Sequence, residues 1–246
     1  MLADSHCHLD MLQDPEKAVE RALALGVGAM LTNATGQQSM AASLSLAGKF
    51  GAVKCALGLH PERVLLATQQ ELALAFAQVE RFIPAASAVG EVGLDFKYAK
   101  TPVQRALQED AFRNFISIAT RAGKPLVVHA RYAQTRSLDI LEETGARKVQ
   151  MHWFTSSAKT CARAVSLGYS ISCGPAIISD AQSAQVVKGI PLENLLLETD
   201  APVQFLGKES EPSWIPLVCS KVAELKGTSF GEVARVTTRN FSRLFG

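Results

Sequence analysis

The chain has 246 residues, 48% of them hydrophobic and 20% charged, with a formal net charge of +2 from 25 basic and 23 acidic side chains. That length can bury a large core, and the near balance of charge removes any argument from a broad basic field. The five cysteines, Cys7, Cys55, Cys161, Cys173 and Cys219, are odd in number and form no C-x-x-C, which reads as reduced thiols in a cytoplasmic protein.

The first run, MLADSHCHLD, reads as a strand despite its polar residues; Asp4, His6 and His8 leave no apolar stretch for a signal peptide. Asp14 as N-cap, Pro15 at the first helical position and Gly26 as stop bracket a helix. VGAMLTN from Val27 follows as a buried strand, then a helix over about Gln38 to Phe50 and the run VKCALGLHP ending at Pro61. A helix near Gln69 to Phe82 leads to ASAVGEVGLD, and a long amphipathic helix near Thr101 to Ala122 leads to PLVVHAR. Helices near Thr135 to Glu143, Ser157 to Leu167 and Asp180 to Lys188 lead in turn to VQMHWF, YSISCG and LLLETDAP. Two helices finish the chain, the second opening S-F-G-E at Ser229 as a capping box.

Eight candidate strands thus alternate with helices. Such alternation implies parallel pairing with right-handed crossovers, and eight units in about 250 residues predict an α/β fold of the TIM-type (β/α)8 barrel class. An open doubly wound sheet is the alternative, but the first strand-to-helix turn has no G-x-G-x-x-G. No linker or repeat divides residues 1–246, so one domain is expected. No run reaches the roughly 18 apolar residues of a membrane span.

All five histidines, His6, His8, His60, His129 and His152, fall at or near predicted strand ends and none in a predicted helix. Glu91, Asp95, Glu198 and Asp200 do the same. In a barrel, strand C-termini converge on one mouth. Strand periodicity puts Asp4, His6 and His8 on one face, with Asp10 beyond the strand. Neutral imidazoles beside buried carboxylates call for a divalent ion. Taken singly each has a structural reading: H-x-H is a weak motif, His60 beside Pro61 a loop histidine, Glu91 a strand-end ion pair, His129 and His152 core residues. Together they predict a clustered metal site.

Other signals point to structure. The cysteines lack zinc spacing, GEVGLD is no phosphate loop, no serine sits in G-x-S-x-G, Arg105 and Arg113 read as a solvated helix face, and Gln108 and Phe112 as helix packing.

In order, D-S-H-C-H-L-D, L-G-L-H-P, G-E-V-G-L-D, V-H-A-R, M-H-W-F and E-T-D-A-P resemble the TatD-like metal-dependent deoxyribonucleases of the amidohydrolase superfamily, from residue 4 to the closing N-F-S-R-L-F. The resemblance implies that His6, His8 and Asp200 hold one metal, that Glu91 bridges to a second completed by His129 and His152, and that Asp200 orients or deprotonates the attacking water. It implies that His60 faces substrate or phosphate, and that Asp4, Glu198 and Arg131 are second-layer or substrate contacts. Asp95 and Trp153 are grouped with these. The chain departs from the family pattern at Trp153, where a small residue is usual, and at Thr155 to Ser157, Tyr132, Val203 and Ser210. No ligand position is lost, whereas the pocket lining differs.

The expected chemistry is hydrolysis of a DNA phosphodiester by a water activated at two divalent ions, with Zn, Mn and Mg all compatible with the donors. Alternatives are an ester, amide or lactone hydrolase, for example on an aminoacyl ester of RNA, and a non-catalytic metal-binding barrel. DNA is the expected partner, with no membrane and no obligate protein partner.

Overall fold

The eight expected strands form one parallel sheet in chain order: β1 (Leu2–Cys7), β2 (Val27–Asn33), β3 (Val53–Leu57), β4 (Ala88–Asp95), β5 (Leu126–Arg131), β6 (Val149–Met151), β7 (Ser170–Cys173) and β8 (Leu195–Leu197). The structure is a computed structural model that describes residues 1–205 and 207–246. Beyond β8 the backbone joins β1: Asp200 N–H donates to His6 C=O at 2.8 Å and His8 N–H to Ala201 C=O at 2.7 Å. The fold is the (β/α)8 barrel, not the open sheet. β1, β4, β7 and β8 are buried at every position, the mark of strands covered on both faces.

Helices α1 (Pro15–Ala24), α2 (Gln37–Lys49), α3 (Pro61–Leu66), α4 (Gln69–Phe82), α5 (Pro102–Ala122), α6 (Gln134–Glu143), α7 (Ala158–Ser166), α8 (Ala181–Gly189), α9 (Ile215–Lys226) and α10 (Phe230–Phe245) connect and flank the strands. Their ends follow local chemistry. Asp14, Thr101, Ser157 and Asp180 cap α1, α5, α7 and α8 by accepting backbone N–H groups, and Pro15 and Pro102 sit in the first turn. Gly123 and Gly227 end α5 and α9 in the left-handed conformation.

Two expectations are corrected. The six-residue α3 follows His60 where no helix was expected, because so short a segment has no readable period. At Ser229 only half a capping box forms: Ser229 accepts from Glu232 N–H, but the Glu232 carboxylate pairs with Arg235 instead of returning to the cap.

Ala3, Leu31, Ala56, Ala88, Val127 and Leu196, one from each of six strands, cluster with Phe241 and Phe245 of α10, giving the barrel an apolar floor. Above it lies a polar layer: Gln150 Nε2 donates to Ser5 Oγ at 2.9 Å and Ser172 Oγ at 2.8 Å, and Ser172 Oγ donates to Glu198 Oε2 at 2.6 Å. Functional side chains stand above this layer, at the strand C-termini. Among the described residues no helix is long and apolar enough to cross a membrane.

Candidate metal centre

Glu91 is the hub. Its Oε2 lies 3.4 Å from Nε2 of both His6 and His8, and its Oε1 lies 2.8 Å from His129 Nδ1 and 2.9 Å from His152 Nε2. Asp200 Oδ1 lies 3.4 Å from His6 Nε2 and 3.3 Å from His8 Nε2, and the two imidazole nitrogens are 3.3 Å apart. His129 Nδ1 and His152 Nε2 are 3.2 Å apart. β1, β4, β5 and the residues just after β1, β6 and β8 thus bring together the side chains of His6, Glu91, His129, His8, His152 and Asp200, the six residues that the family resemblance implies as ligands.

This donor set fits a divalent cation. A tetrahedral ion with ligand bonds of about 2.0–2.1 Å places neighbouring donors roughly 3.3–3.4 Å apart. The five distances among His6, His8, Asp200 and Glu91 Oε2 match that edge. Two neutral imidazoles with lone pairs facing each other at such distances repel, and a proton or a cation removes the repulsion.

The metal-free electrostatics show the same demand. Burial raises the carboxyl of Glu91, but the surrounding imidazoles, His152 and His6 foremost, together with the His129 hydrogen bond, outweigh it and hold Glu91 well below the usual range. Burial likewise opposes Asp200, whose bond with His8 and neighbouring imidazoles keep it low. His8 is disfavoured by burial yet pushed up to about 9 by Asp200, Glu91 and the Asn33 carbonyl. His152 and His129 are raised despite burial, by Glu91 together with Glu198 and Asp95 respectively, whereas burial and the His152 charge lower His6.

Outer partners fix which nitrogen faces the centre. His8 Nδ1 donates to Asn33 C=O at 2.7 Å, leaving Nε2 for the cluster. His129 Nε2 donates to Asp95 Oδ2 at 3.0 Å, leaving Nδ1. This is the usual orientation of a ligating imidazole. His60, Asp95 and His129 also come close enough to share an ion, but their hydrogen bonds oppose it. His60 Nδ1 accepts Glu62 N–H at 3.2 Å, and burial lowers its pKa to about 4, so the proton sits on Nε2. His60 is therefore a neutral donor facing Glu91 Oε1 at 3.8 Å, and the His129 nitrogen on that side already carries a proton for Asp95.

The remaining expected residues separate. Glu198 is buried, accepting Trp153 N–H on Oε1 at 2.8 Å, with Oε2 3.8 Å from His152 Nδ1. Trp153 has a positive φ of 37° and packs its ring on Phe205 in the small hairpin β9 (Gln204–Phe205) and β10 (Lys208–Glu209). Asp4 does not join the donors. Asp4 accepts from Thr199 Oγ1 at 2.5 Å, Thr199 N at 3.0 Å and His6 N at 3.2 Å, and the β1–β2 register shifts between Asp4 and Cys7. Burial raises its carboxyl well above the ordinary range. Arg131 is exposed at the end of β5, and none of the hydrogen bonds or ion pairs among the described residues involves its guanidinium. Asp10 lies in the turn after β1 and accepts from Ser39 Oγ at 2.7 Å.

The glycines of GEVGLD serve packing. Gly93 has φ 138°, and a Cβ there would lie 2.1 Å from the carbonyl oxygen of His129, its partner across the β4–β5 ladder. A Cβ on Gly90 would lie 2.6 Å from Val127 Cβ. Sequence reasoning missed Asn33, whose contribution is a backbone carbonyl. It also misread Gln108 as ordinary packing: Gln108 is buried with both ends of its amide bonded, to Asp95 N–H and to Pro61 C=O, each at 2.9 Å.

A family model described as "TatD related DNase" matches residues 3–246. The "Uncharacterized metal-dependent hydrolase YabD" of Bacillus subtilis is 34% identical over 258 residues, covering 100% of this chain and 99% of that protein. The human "Deoxyribonuclease TATDN3" is 34% identical over 260 residues, with 99% and 94% covered. Among solved structures, the Escherichia coli TatD homologue YJJV superposes with a TM-score of 0.91 at 30% identity, over 99% of this chain and 97% of that one. A phosphotriesterase homology protein from Escherichia coli, at 16% identity and a TM-score of 0.72, shares the fold.

Proposed function

The chain belongs to the TatD-related DNase family and is a metal-dependent hydrolase, and from that premise we propose that it cleaves DNA phosphodiester bonds at a centre of two divalent ions. The observation that carries the two-ion reading is Glu91, whose two oxygens face two different imidazole pairs. His6, His8, Asp200 and Glu91 Oε2 would hold one ion; His129, His152 and Glu91 Oε1 the other. Zn, Mn and Mg all suit so mixed a set of nitrogen and carboxylate donors.

When bound, such ions polarise the phosphate and make water acidic enough to attack near neutral pH. The chain's own residues do the rest. Asp200, kept ionised at the junction of β8 and β1, orients the attacking water and accepts its proton. His60 presents its Nε2–H toward the centre, where a phosphate oxygen of the substrate can accept it. Glu198 anchors Trp153 at the rim through the backbone, and Arg131 is free to meet the phosphate backbone. We read residues 1–246 as one hydrolase unit, and the odd number of cysteines without C-x-x-C favours a cytoplasmic protein.

The test is cleavage of single- and double-stranded DNA by purified protein with Mg, Mn or Zn, against chelated protein and Glu91→Ala, alongside elemental analysis. Two bound ions and chelator-sensitive cleavage abolished by Glu91→Ala are expected. Inert metal-replete protein, or faster turnover of a carboxylic ester or lactone than of DNA, would overturn the assignment.

A further inference from the structure

The His60 side of the centre is organised from outside the barrel. Gln108 lies at the end of the second turn of α5, fully buried, and its side chain reaches the end of β4 and the start of α3. Its Oε1 accepts the backbone N–H of Asp95, the last residue of β4. Its Nε2 donates to the backbone carbonyl of Pro61, the residue after His60 and the first of α3.

Each bonded backbone group adjoins a functional side chain. The Asp95 carboxylate accepts from His129 Nε2 and so directs His129 Nδ1 at Glu91. The turn at Pro61 brings Glu62 N–H onto His60 Nδ1 and so keeps the His60 proton on Nε2. The His60 and His129 rings meet edge to face with centroids 4.5 Å apart. One amide therefore spans the two backbone segments whose spacing sets that contact. An apolar side chain of the same volume would leave the Asp95 N–H without a partner and would strip Pro61 C=O, the first carbonyl of α3, of its side-chain donor, and buried backbone groups are rarely left unpaired.

We infer that Gln108 is a positioning residue: its two hydrogen bonds lock the β3–α3 turn to the end of β4, and thereby set the His60 tautomer and the aim of His129. The inference rests on the reading of His129 as a ligand and His60 as a substrate-facing donor. The amide touches neither substrate nor ion.

The experiment compares wild type with Gln108→Met, a near-isosteric change that removes both bonds. Long-range proton–nitrogen spectra of the histidine side chains are recorded on the chelator-stripped proteins. Wild type is expected to show His60 as a single species protonated at Nε2. Gln108→Met is expected to show His60 divided between tautomers and the His129 Nε2 proton exchanging faster. In the metal-loaded enzyme kcat should fall about 10- to 100-fold, the usual effect of losing an outer partner of a ligand, with KM changed less than kcat.

Unchanged His60 and His129 signals in Gln108→Met, or a lowered Tm with kcat intact, would overturn the inference. If the variant does not fold, hydrogen exchange in wild type decides. Protection of the Asp95 amide to the level of the barrel core supports the lock, and exchange at the rate of an exposed loop overturns it. The spectra need neither metal nor substrate, so a wild type inert on DNA would remove the phosphodiesterase reading and leave this test standing.

Discussion

Asp200 and His6 are joined twice. The Asp200 backbone N–H donates to His6 C=O at 2.8 Å, and Asp200 Oδ1 lies 3.4 Å from His6 Nε2. The contact that closes the barrel therefore also sets the spacing of two donors. Asp200 adopts a positive φ of 51°, a conformation that Asn tolerates as well as Asp. Asp200→Asn should keep the seam and the fold while losing the charge. With the metal present, kcat is expected to fall by about 10²–10⁴, the range of a lost general base. Circular dichroism matching wild type beside that loss supports the role; a rate within about tenfold of wild type contradicts it.

Glu198 carries a structural load as well as a place beside His152. Its two oxygens are the acceptors for Trp153 N–H and Ser172 O–H in a fully buried site. Glu198→Ala orphans both donors, at about 1–3 kcal/mol each. Urea unfolding should register the loss, and the emission of Trp153 should shift as its backbone anchor is released. Glu198→Gln keeps an oxygen for Trp153 N–H and should restore the emission. A wild-type midpoint and spectrum for Glu198→Ala would refute this account.

What the sequence disclosed was the list of donors, and the reason is topological. A parallel barrel sends every strand C-terminus to one mouth, so His6, Glu91, His129, His152 and Asp200 could be gathered without knowing any distance. What it withheld depends on geometry between distant segments. Gln150 and Ser5 are 145 residues apart yet share a hydrogen bond, and no local pattern announces it. Asp4, expected as a second-layer or substrate contact, spends its carboxylate on Thr199 and the His6 backbone N–H, a pairing 195 residues apart in the first case. The tautomers of His60 and His129 follow from single bonds to Glu62 N–H and Asp95, which leave His60 Nε2 as a donor and turn His129 Nδ1 toward Glu91. Gln108 looked like any buried helix residue because its partners are backbone atoms.

Gly93 offers a test of how the β4–β5 contact supports His129. With φ at 138° and a Cβ position 2.1 Å from the His129 carbonyl oxygen, no side chain fits without moving β5. Gly93→Ala should cost more than about 4 kcal/mol, placing it among exceptional substitutions that distort a packed backbone. Soluble yield and Tm measure the effect, and an unshifted Tm would show that the ladder can yield at this point.

The response of the metal to pH follows from His8. In the metal-free protein its pKa is raised from about 6.5, the ordinary histidine value, to about 9, burial being outweighed by Asp200, Glu91 and the Asn33 carbonyl. A folded-state pKa raised in this way stabilises the metal-free fold fully below the unfolded value. That contribution fades as pH climbs through the window and is gone above about 9. A metal needs the same Nε2 as a neutral lone pair, so it competes with the proton at low pH and meets no competitor at high pH. Glu91 and Asp200 are held low and stay ionised across the window, so they do not offset the trend. The gain in Tm on adding Zn or Mn to chelated protein should therefore grow between the ordinary histidine pKa and about 9, and metal binding near neutral pH should release protons. Thermal melts at intervals across that window, with calorimetry in buffers of different ionisation enthalpy, measure both. A Tm gain that shrinks with rising pH, or a binding enthalpy indifferent to the buffer, would mean that His8 is not protonated where the metal binds.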